Sequence, residues 1–144
     1  MSGFTFPITV RYAEVDQQGV VFNGHYLTWF DEACTGLLDH LEVSYPGLIA
    51  TGFDIQVVRS EIDYLASVRW RDTVRIAVTC EHIGTTSFAL GFTVLGSNPE
   101  SDTVTAERPT VRGRNVYVVV STTDWAKRPI PETLRAALSS VAGQ

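Results

Sequence analysis

The sequence predicts an α+β fold in which an antiparallel sheet curls round one long helix. Two patterns lead to this prediction: a long apolar stretch with helical spacing follows a first strand, and several strands with one apolar face follow that helix. With 144 residues and 44% hydrophobic content, the chain can bury one core and has little room for a second. We therefore expect residues 1–144 to form a single domain.

The first strand and the long helix are defined by their periodicity. Apolar and polar side chains alternate over residues 5–12, which predicts a strand, and residues 13–19 break that alternation and predict a loop. From about residue 23 to 41, apolar side chains recur every three or four residues. This spacing predicts a helix of about 28 Å, with Asn23 as its N-cap.

Four further strands are predicted after the Pro46-Gly47 break. Their segments are residues 55–65, 73–80, 87–94 and 115–123. A short connection at residues 84–86 predicts a hairpin, and residues 97–112, rich in turn formers and charges, predict an insertion. Residues 132–141 predict a short C-terminal helix. The open edges of such a five-stranded sheet favour pairing with a second copy, so we expect a homodimer.

Composition excludes several function classes. A net charge of −5 gives no basic surface for nucleic acid, and no apolar run reaches the roughly 18 to 20 residues of a membrane span. The N-terminus lacks the pattern of a secretory signal, so we expect a cytoplasmic protein. Cys34 and Cys80 are expected to be buried, reduced thiols. Because His25, His40 and His82 form no metal-binding pair, we expect no metal.

The segment VRYAEVDQQGVVFNGHYLTWFDEA, residues 10–33, is densest in chemical groups. It places Asp16 in a loop before a buried helix, with Gly19 to let the backbone turn. The first N–H groups of a helix can hold a carbonyl oxygen that becomes negative, while a nearby carboxylate attacks the carbonyl or activates water. A loop Asp at this spacing is also a common cap or turn former, so the pattern alone leaves both interpretations open.

The same segment resembles the signature of acyl-CoA thioesterases of the 4-hydroxybenzoyl-CoA thioesterase type, which have the hotdog fold. The residues that carry the resemblance are Arg11, Tyr12, Asp16, Gly19, Val20, Val21, Phe22 and Tyr26. Residues 62–65 with Asp72, 84–87 and 128–131 extend it along the chain. The resemblance implies a hotdog fold, in which a five-stranded antiparallel sheet wraps round a long central helix.

The resemblance also implies a site. Asp16 corresponds to the residue that acts as nucleophile or general base, and the backbone N–H of Asn23 corresponds to the donor that polarises the thioester carbonyl. Gly24, His25 and Tyr26 are the expected substrate contacts at the helix start. Many relatives have His or Tyr at position 23 and commonly Asn at position 25, so any histidine side-chain role is lost or moved to His25.

Cations are the expected partners of the coenzyme A phosphates. Arg69, Arg71, Lys127 and Arg128 are the candidates, and Arg128 is the one we expect to contact substrate. In this family a Gly is frequent before Asp72, where this chain has Arg71, so the detailed shape of that turn need not follow the family's.

Other acidic residues are weaker candidates. Glu14 is expected to be a solvated carboxylate, although it stands two residues from Asp16. Asp31 and Glu32 form a reserve assignment, because other hotdog thioesterase families place their carboxylate on this helix.

The implied reaction is hydrolysis of an acyl-CoA or aroyl-CoA to the free acid and CoA, without a cofactor, in a homodimer or tetramer. Three alternatives stay open: a thioesterase for acyl-carrier-protein substrates, a hotdog hydratase or dehydratase that uses Asp16 with His25, and a non-catalytic acyl-thioester binder.

Overall fold

Five strands and three α-helices make up the described part of the chain. The computed structural model describes residues 3–98 and 107–143. In chain order the elements are β1 (Phe4–Thr9), a 3-10 helix (Tyr12–Glu14), α1 (His25–His40), α2 (Tyr45–Ala50), β2 (Phe53–Tyr64), β3 (Thr73–Ile83), β4 (Ser87–Ser97), β5 (Arg108–Ser121) and α3 (Glu132–Ser139). The sheet order is β1-β3-β4-β5-β2, and every neighbouring pair is antiparallel. The predicted five-stranded antiparallel sheet is therefore confirmed.

Helix α1 packs its apolar face against the sheet. The buried side chains of that face are Tyr26, Trp29, Phe30, Ala33, Cys34, Leu37 and Leu38. Phe30 stacks on Phe92 of β4 with ring centroids 4.5 Å apart, and its ring fills the space beside Gly113 of β5. Since each large apolar side chain contributes about 1.5–3 kcal/mol on burial, this face secures the helix to the sheet.

The start of α1 differs from the prediction. The helix begins at His25, and Gly24 occupies the N-cap position with helical backbone angles (φ −71°, ψ −21°) and no side chain to cap with. Asn23 is therefore not the N-cap. It lies in the turn before the helix, which closes where the His25 N–H donates to the Phe22 carbonyl at 3.0 Å.

Helix α2 contradicts the predicted break at Pro46 and Gly47. Proline lies in the first turn of α2, where its missing N–H breaks no helical hydrogen bond. The Ser44 hydroxyl accepts a hydrogen bond from the Gly47 N–H at 3.2 Å and caps the same turn. Proline here starts a helix instead of preventing one. Helix α3 confirms the predicted C-terminal helix, with Pro131 at its N-cap.

The remaining strands confirm the prediction in type and correct it at the ends. Strands β3 and β4 form the expected antiparallel hairpin. The predicted insertion over residues 97–112 is wrong for its last part, because β5 already begins at Arg108 and Val111 pairs with Val94 in the core. Residues 99–106 of that prediction lie outside the described part. The first strand ends at Thr9 and not at residue 12.

Candidate active site

A tight turn presents Asp16. The Asp16 N–H donates to the Val20 carbonyl at 2.9 Å, and the Gly19 N–H donates back to the Asp16 carbonyl at 2.9 Å. Gly19 has φ +79°, a left-handed conformation that glycine adopts without a Cβ clash. Oδ1 of Asp16 accepts a hydrogen bond from the Gln18 N–H at 2.8 Å, so one carboxylate oxygen stabilises the turn.

Backbone hydrogen bonds tie this turn to the sheet end. The Val21 N–H donates to the Val68 carbonyl at 2.8 Å, and Val20 forms an isolated antiparallel bridge with Arg69. One residue further on, the Phe22 N–H donates to the Glu14 carbonyl at 2.9 Å. These contacts fix the loop on both sides, and they hold the Asp16 turn beside the start of α1.

The start of α1 offers unpaired donors. Within the described residues, the N–H groups of Asn23 and Gly24 have no hydrogen-bond acceptor. The carbonyl of Asn23 accepts a hydrogen bond from the Tyr64 hydroxyl at 3.1 Å, which joins the end of β2 to the helix start. An exposed N–H at this position suits a carbonyl oxygen that gains negative charge, because the helix end adds partial positive charge.

Asp16 and Asn23 line one cleft of about 330 Å³ together with Tyr26 and Tyr64. Asp16 is half-buried there. The sequence named Tyr64 only as part of the strand segment 62–65 and not as a site residue, because its contact with Asn23 joins residues 41 positions apart. Asp16 and Asn23, the two residues expected to act on the thioester, thus line the same cleft.

Tyr26 and His25 sit differently at the helix start. Tyr26 is buried, and burial together with the neighbouring Tyr64 raises its pKa to about 12, so its phenol stays neutral near pH 7. Its ring meets that of Tyr64 edge-on at 5.8 Å. His25 is half-buried and packs edge-on against Phe22 with centroids 5.8 Å apart. Gly24 is exposed beside them.

Arg128 lies far from this cleft within one chain. Its N–H donates to the Val119 carbonyl, and Val119 pairs with Ile55, whereas the cleft lies at the Tyr64 end of β2. Ile55 and Tyr64 are nine residues apart along β2, which corresponds to roughly 30 Å, so the Arg128 backbone is about that far from the cleft. The Arg128 guanidinium donates to Asp124 at 2.8 Å. A substrate role for Arg128 therefore stays a prediction, and it requires a second subunit.

Glu14 corrects an expectation. Instead of being solvated it is 3% exposed, and its carboxylate accepts hydrogen bonds from the Arg11 N–H at 2.8 Å, the Arg11 guanidinium at 3.0 Å and Trp29 Nε1 at 2.9 Å. Both carboxylate oxygens accept hydrogen bonds from the protein, so Glu14 holds the 3-10 helix against α1.

The reserve acids lie elsewhere on α1. Asp31 borders a separate cavity of about 390 Å³ with Cys34 and Tyr117, and burial and the charge of Glu32 raise its pKa. Burial raises the pKa of the Cys34 thiol to about 12. Cys34 and Cys80 are both free and buried, as expected.

The described residues contain neither a grouped metal-ligand set nor a membrane-spanning helix. Across residues 3–98 and 107–143, no three His, Cys, Asp or Glu side chains are grouped so that they could hold a metal ion. In the same ranges, none of the helices combines the length and the apolarity that crossing a membrane requires.

Comparison with known proteins identifies the family. The sequence profile of the Thioesterase superfamily matches residues 18–100, more than half of the chain. The chain belongs to this superfamily, as the resemblance in residues 10–33 implied. The matched stretch begins two residues after Asp16, so the assignment of Asp16 depends on its geometry and on the motif.

Relatives with assigned names cover part of the chain. The acyl-CoA thioesterase YbgC of Haemophilus influenzae is 32% identical over 76 residues, which are 52% of this chain and 56% of that protein. The chain spans about half the length of the curated relatives it matches.

Solved structures match over nearly the whole length. The dynemicin thioesterase superimposes with a TM-score of 0.87 at 19% identity and covers 99% of both chains. A 1,4-dihydroxy-2-naphthoyl-CoA thioesterase from Synechocystis superimposes with a TM-score of 0.82 at 22% identity, over 97% of this chain and 98% of that one. At these identities the likeness shows the fold alone, and that fold is the expected hotdog.

Proposed function

We propose that the chain hydrolyses acyl-CoA or aroyl-CoA thioesters to the free acid and CoA. The observation that carries this proposal is the shared cleft, which Asp16 and Asn23 both line and where the Asn23 N–H has no acceptor among the described residues. The membership of the chain in the thioesterase superfamily and the name of its relative YbgC support it.

The cleft supplies the two groups that thioester hydrolysis needs. The thioester carbonyl oxygen accepts a hydrogen bond from the Asn23 N–H, and this contact strengthens as the oxygen becomes negative. Asp16 then either attacks the carbonyl carbon to form an anhydride that water opens, or removes a proton from the attacking water. In both routes the C–S bond breaks and the sulfur leaves as the thiol of CoA. With general-base catalysis the new carboxyl oxygen comes directly from water, whereas water that opens an anhydride at the Asp16 carbonyl leaves an Asp16 oxygen on the product and replaces it on Asp16.

We propose that the chain forms a single domain and that two copies of it associate through β2 as a homodimer. This strand is twelve residues long and lies at the sheet edge, and it exposes Val57 (45%) and Val58 (59%). Antiparallel pairing of two β2 strands about Val58 would bring the partner subunit's Arg128 towards the cleft of the first subunit, near the substrate phosphates. The cytoplasm, where CoA thioesters are made and used, is the proposed location.

Thiol release from a panel of short, long and aromatic acyl-CoAs, followed with a thiol-detecting reagent, tests the reaction. We expect release of CoA from at least one class together with the matching free acid. Hydration of crotonyl-CoA without thiol release would instead assign a hydratase, and binding without turnover of any substrate would assign a non-catalytic binder.

Single-turnover reaction in ¹⁸O-labelled water separates the two roles of Asp16. Water that opens an anhydride at the Asp16 carbonyl carbon leaves its label in the Asp16 carboxylate and an unlabelled Asp16 oxygen in the product, whereas general-base catalysis places label only in the product acid.

A further inference from the structure

We propose that an exposed cluster of Tyr12, Trp70, Arg69 and Arg71, called here the aromatic-arginine cluster, binds the adenine nucleotide end of the CoA substrate. The inference rests on the proposed function and deepens it, because it distinguishes CoA from an acyl-carrier protein. Both carry a pantetheine arm, but only CoA carries adenine at its far end.

The cluster has the shape of a stacking platform. The rings of Tyr12 and Trp70 meet edge to face with centroids 5.3 Å apart, and the Arg71 guanidinium carbon lies 4.4 Å from the centre of the Trp70 ring. Tyr12 is 74% exposed and Trp70 is 44% exposed, so large aromatic surfaces face outwards. Flat, electron-rich bases stack on such rings, and a guanidinium beside them adds a cation contact.

The backbone of Arg71 is fixed in an unfavourable conformation. Its φ is +74°, in the left-handed region that favours glycine. The chain therefore accepts backbone strain at Arg71 and gains a guanidinium held over Trp70. A turn whose only task were to reverse the chain would gain nothing from this arginine.

The charges of the cluster are free to bind an anion. Among the described residues, Arg69 and Arg71 have no carboxylate partner, whereas Arg11, Arg75 and Arg128 each form an ion pair. Asp72, in the same turn, accepts a hydrogen bond from the Arg69 backbone N–H at 2.8 Å and forms no ion pair with either guanidinium among the described residues. The two guanidiniums are thus available to phosphate oxygens, in a chain whose net charge is −5.

The cluster lies where the far end of a bound CoA would reach. Tyr12 precedes Asp16 by four residues, so their Cα atoms are at most about 14 Å apart. Arg69 bridges Val20 of the Asp16 turn, and its Nη1 lies beside Gly19 of the same turn. A pantetheine arm that starts at a thioester in the cleft can therefore cross this rim and place its nucleotide on the cluster.

Truncated substrates test the cluster directly. The experiment compares kcat and KM for one acyl group carried on CoA and on N-acetylcysteamine, which lacks the nucleotide. For Trp70→Ala we expect KM for the CoA ester to rise roughly tenfold, as loss of one base-stacking contact predicts, with kcat and the truncated substrate unchanged. His40→Ala, at an exposed ring that packs on Phe4 at the far end of α1, is the matched control and should change neither substrate.

Arg71→Gly tests the guanidinium in a variant that we expect to fold normally. Glycine suits the positive φ, so the variant should melt no lower than the wild type while KM for the CoA ester rises several-fold. Equal effects of Trp70→Ala on both substrates, no effect on either, or a loss of subunit association would overturn the proposal.

Direct binding separates this proposal from the proposed reaction. Calorimetric titration with adenosine 3′,5′-bisphosphate, a probe with no thioester, should give binding to the wild type that Trp70→Ala weakens about tenfold. If no thioester is hydrolysed but this binding occurs, the reaction is wrong and the nucleotide site stands. If thioesters are hydrolysed and neither this binding nor the KM difference is found, the nucleotide site is wrong.

Discussion

Glu14 is a buried carboxylate that receives hydrogen bonds from two residues on different elements. Burial alone raises its pKa, but the hydrogen bonds from Arg11 and Trp29 outweigh burial and leave the pKa of Glu14 below its ordinary value. Its carbonyl also accepts the Phe22 N–H at 2.9 Å. Glu14 therefore links the loop that carries Asp16 to the helix whose start faces the cleft.

Replacing Glu14 with Gln keeps the size of the side chain and removes its charge. We expect Glu14→Gln to lower the free energy of unfolding by about 2–3 kcal/mol, because charge-assisted bonds are lost and an amide donor faces the Arg11 N–H. Urea titration measures the change. Glu32→Gln, at an exposed acid on α1, is the matched control and should stay within about 0.5 kcal/mol of the wild type.

The pH dependence of stability provides a second readout of Glu14. Because its pKa is lower in the folded state, its contribution is present above the unfolded pKa of about 4.3 and is lost as pH falls through the folded pKa. Stability of the wild type should therefore fall more steeply below about pH 4.3 than that of Glu14→Gln. Identical slopes for the two proteins would contradict the assigned role.

The packing of α1 on the sheet depends on a strand glycine. A Cβ at Gly113 of β5 would collide with the Phe30 ring, which is itself buried and stacked on Phe92. A Cβ at Gly91 of β4 would meet the Glu81 side chain, which is flexible and exposed. Of these two glycines on neighbouring strands, only Gly113 limits how closely α1 can approach the sheet.

Gly113→Ala should destabilise the fold by about 1–3 kcal/mol, because a rigid buried ring must move. Gly91→Ala, the matched control, should be within about 0.5 kcal/mol of the wild type, since Glu81 can rotate away. Thermal unfolding of both variants checks the pair. A Gly113→Ala protein as stable as the control would show that α1 has room above β5.

How far the sequence predicts the fold can be judged element by element. Periodicity locates α1 and the strands, because their apolar faces are long and regular. It fails at α2, where Pro46 lies inside the first helical turn and looks like a break. It also fails at the start of β5, where charged and proline-containing residues 108–110 suggest a loop but belong to the strand, with Arg108 and Pro109 opposite Gly96 and Leu95 of β4. Pairing partners distant in the chain decide such segments, and local pattern cannot show them.

The candidate site, like the fold, is predictable from the sequence only where its residues are close together in the chain. The motif identifies Asp16 and the helix start, because both are local in sequence. The burial of Glu14 depends on Trp29, fifteen residues later, and the role of Tyr64 depends on the end of β2 reaching Asn23. Neither contact leaves a signal in the residues nearby. Only the folded structure shows these two contacts and the place of Tyr64 in the lining of the cleft.

The whole molecule has one long edge that suits a second copy. Strand β2 pairs with β5 on one side, and its backbone on the other side is unpaired within the described residues. The opposite edge, β1, is six residues long and contains Pro7, which cannot donate to a ladder. Subunit association is therefore expected at β2 and not at β1.

A charge on the β2 edge should prevent association. Val58→Lys places an ammonium group at the centre of the proposed interface, and we expect a monomer where the wild type is a dimer. Thr5→Lys on the β1 edge is the matched control and should leave the dimer intact. Light scattering after size exclusion gives the mass of each protein. A monomeric wild type, or a dimeric Val58→Lys protein, would contradict an interface through β2.

The central claim is that the Asp16 carboxylate acts on a thioester held at the start of α1. The most direct measurement is kcat/KM of Asp16→Asn for the best acyl-CoA substrate. Asn keeps an oxygen for the Gln18 N–H, so the turn should survive, while the nucleophile or base is lost. We expect kcat/KM to fall roughly 10²–10⁴-fold with the melting temperature unchanged, and Asp39→Asn, at an exposed acid on α1, to have no effect. Undiminished thiol release by Asp16→Asn would contradict the claim.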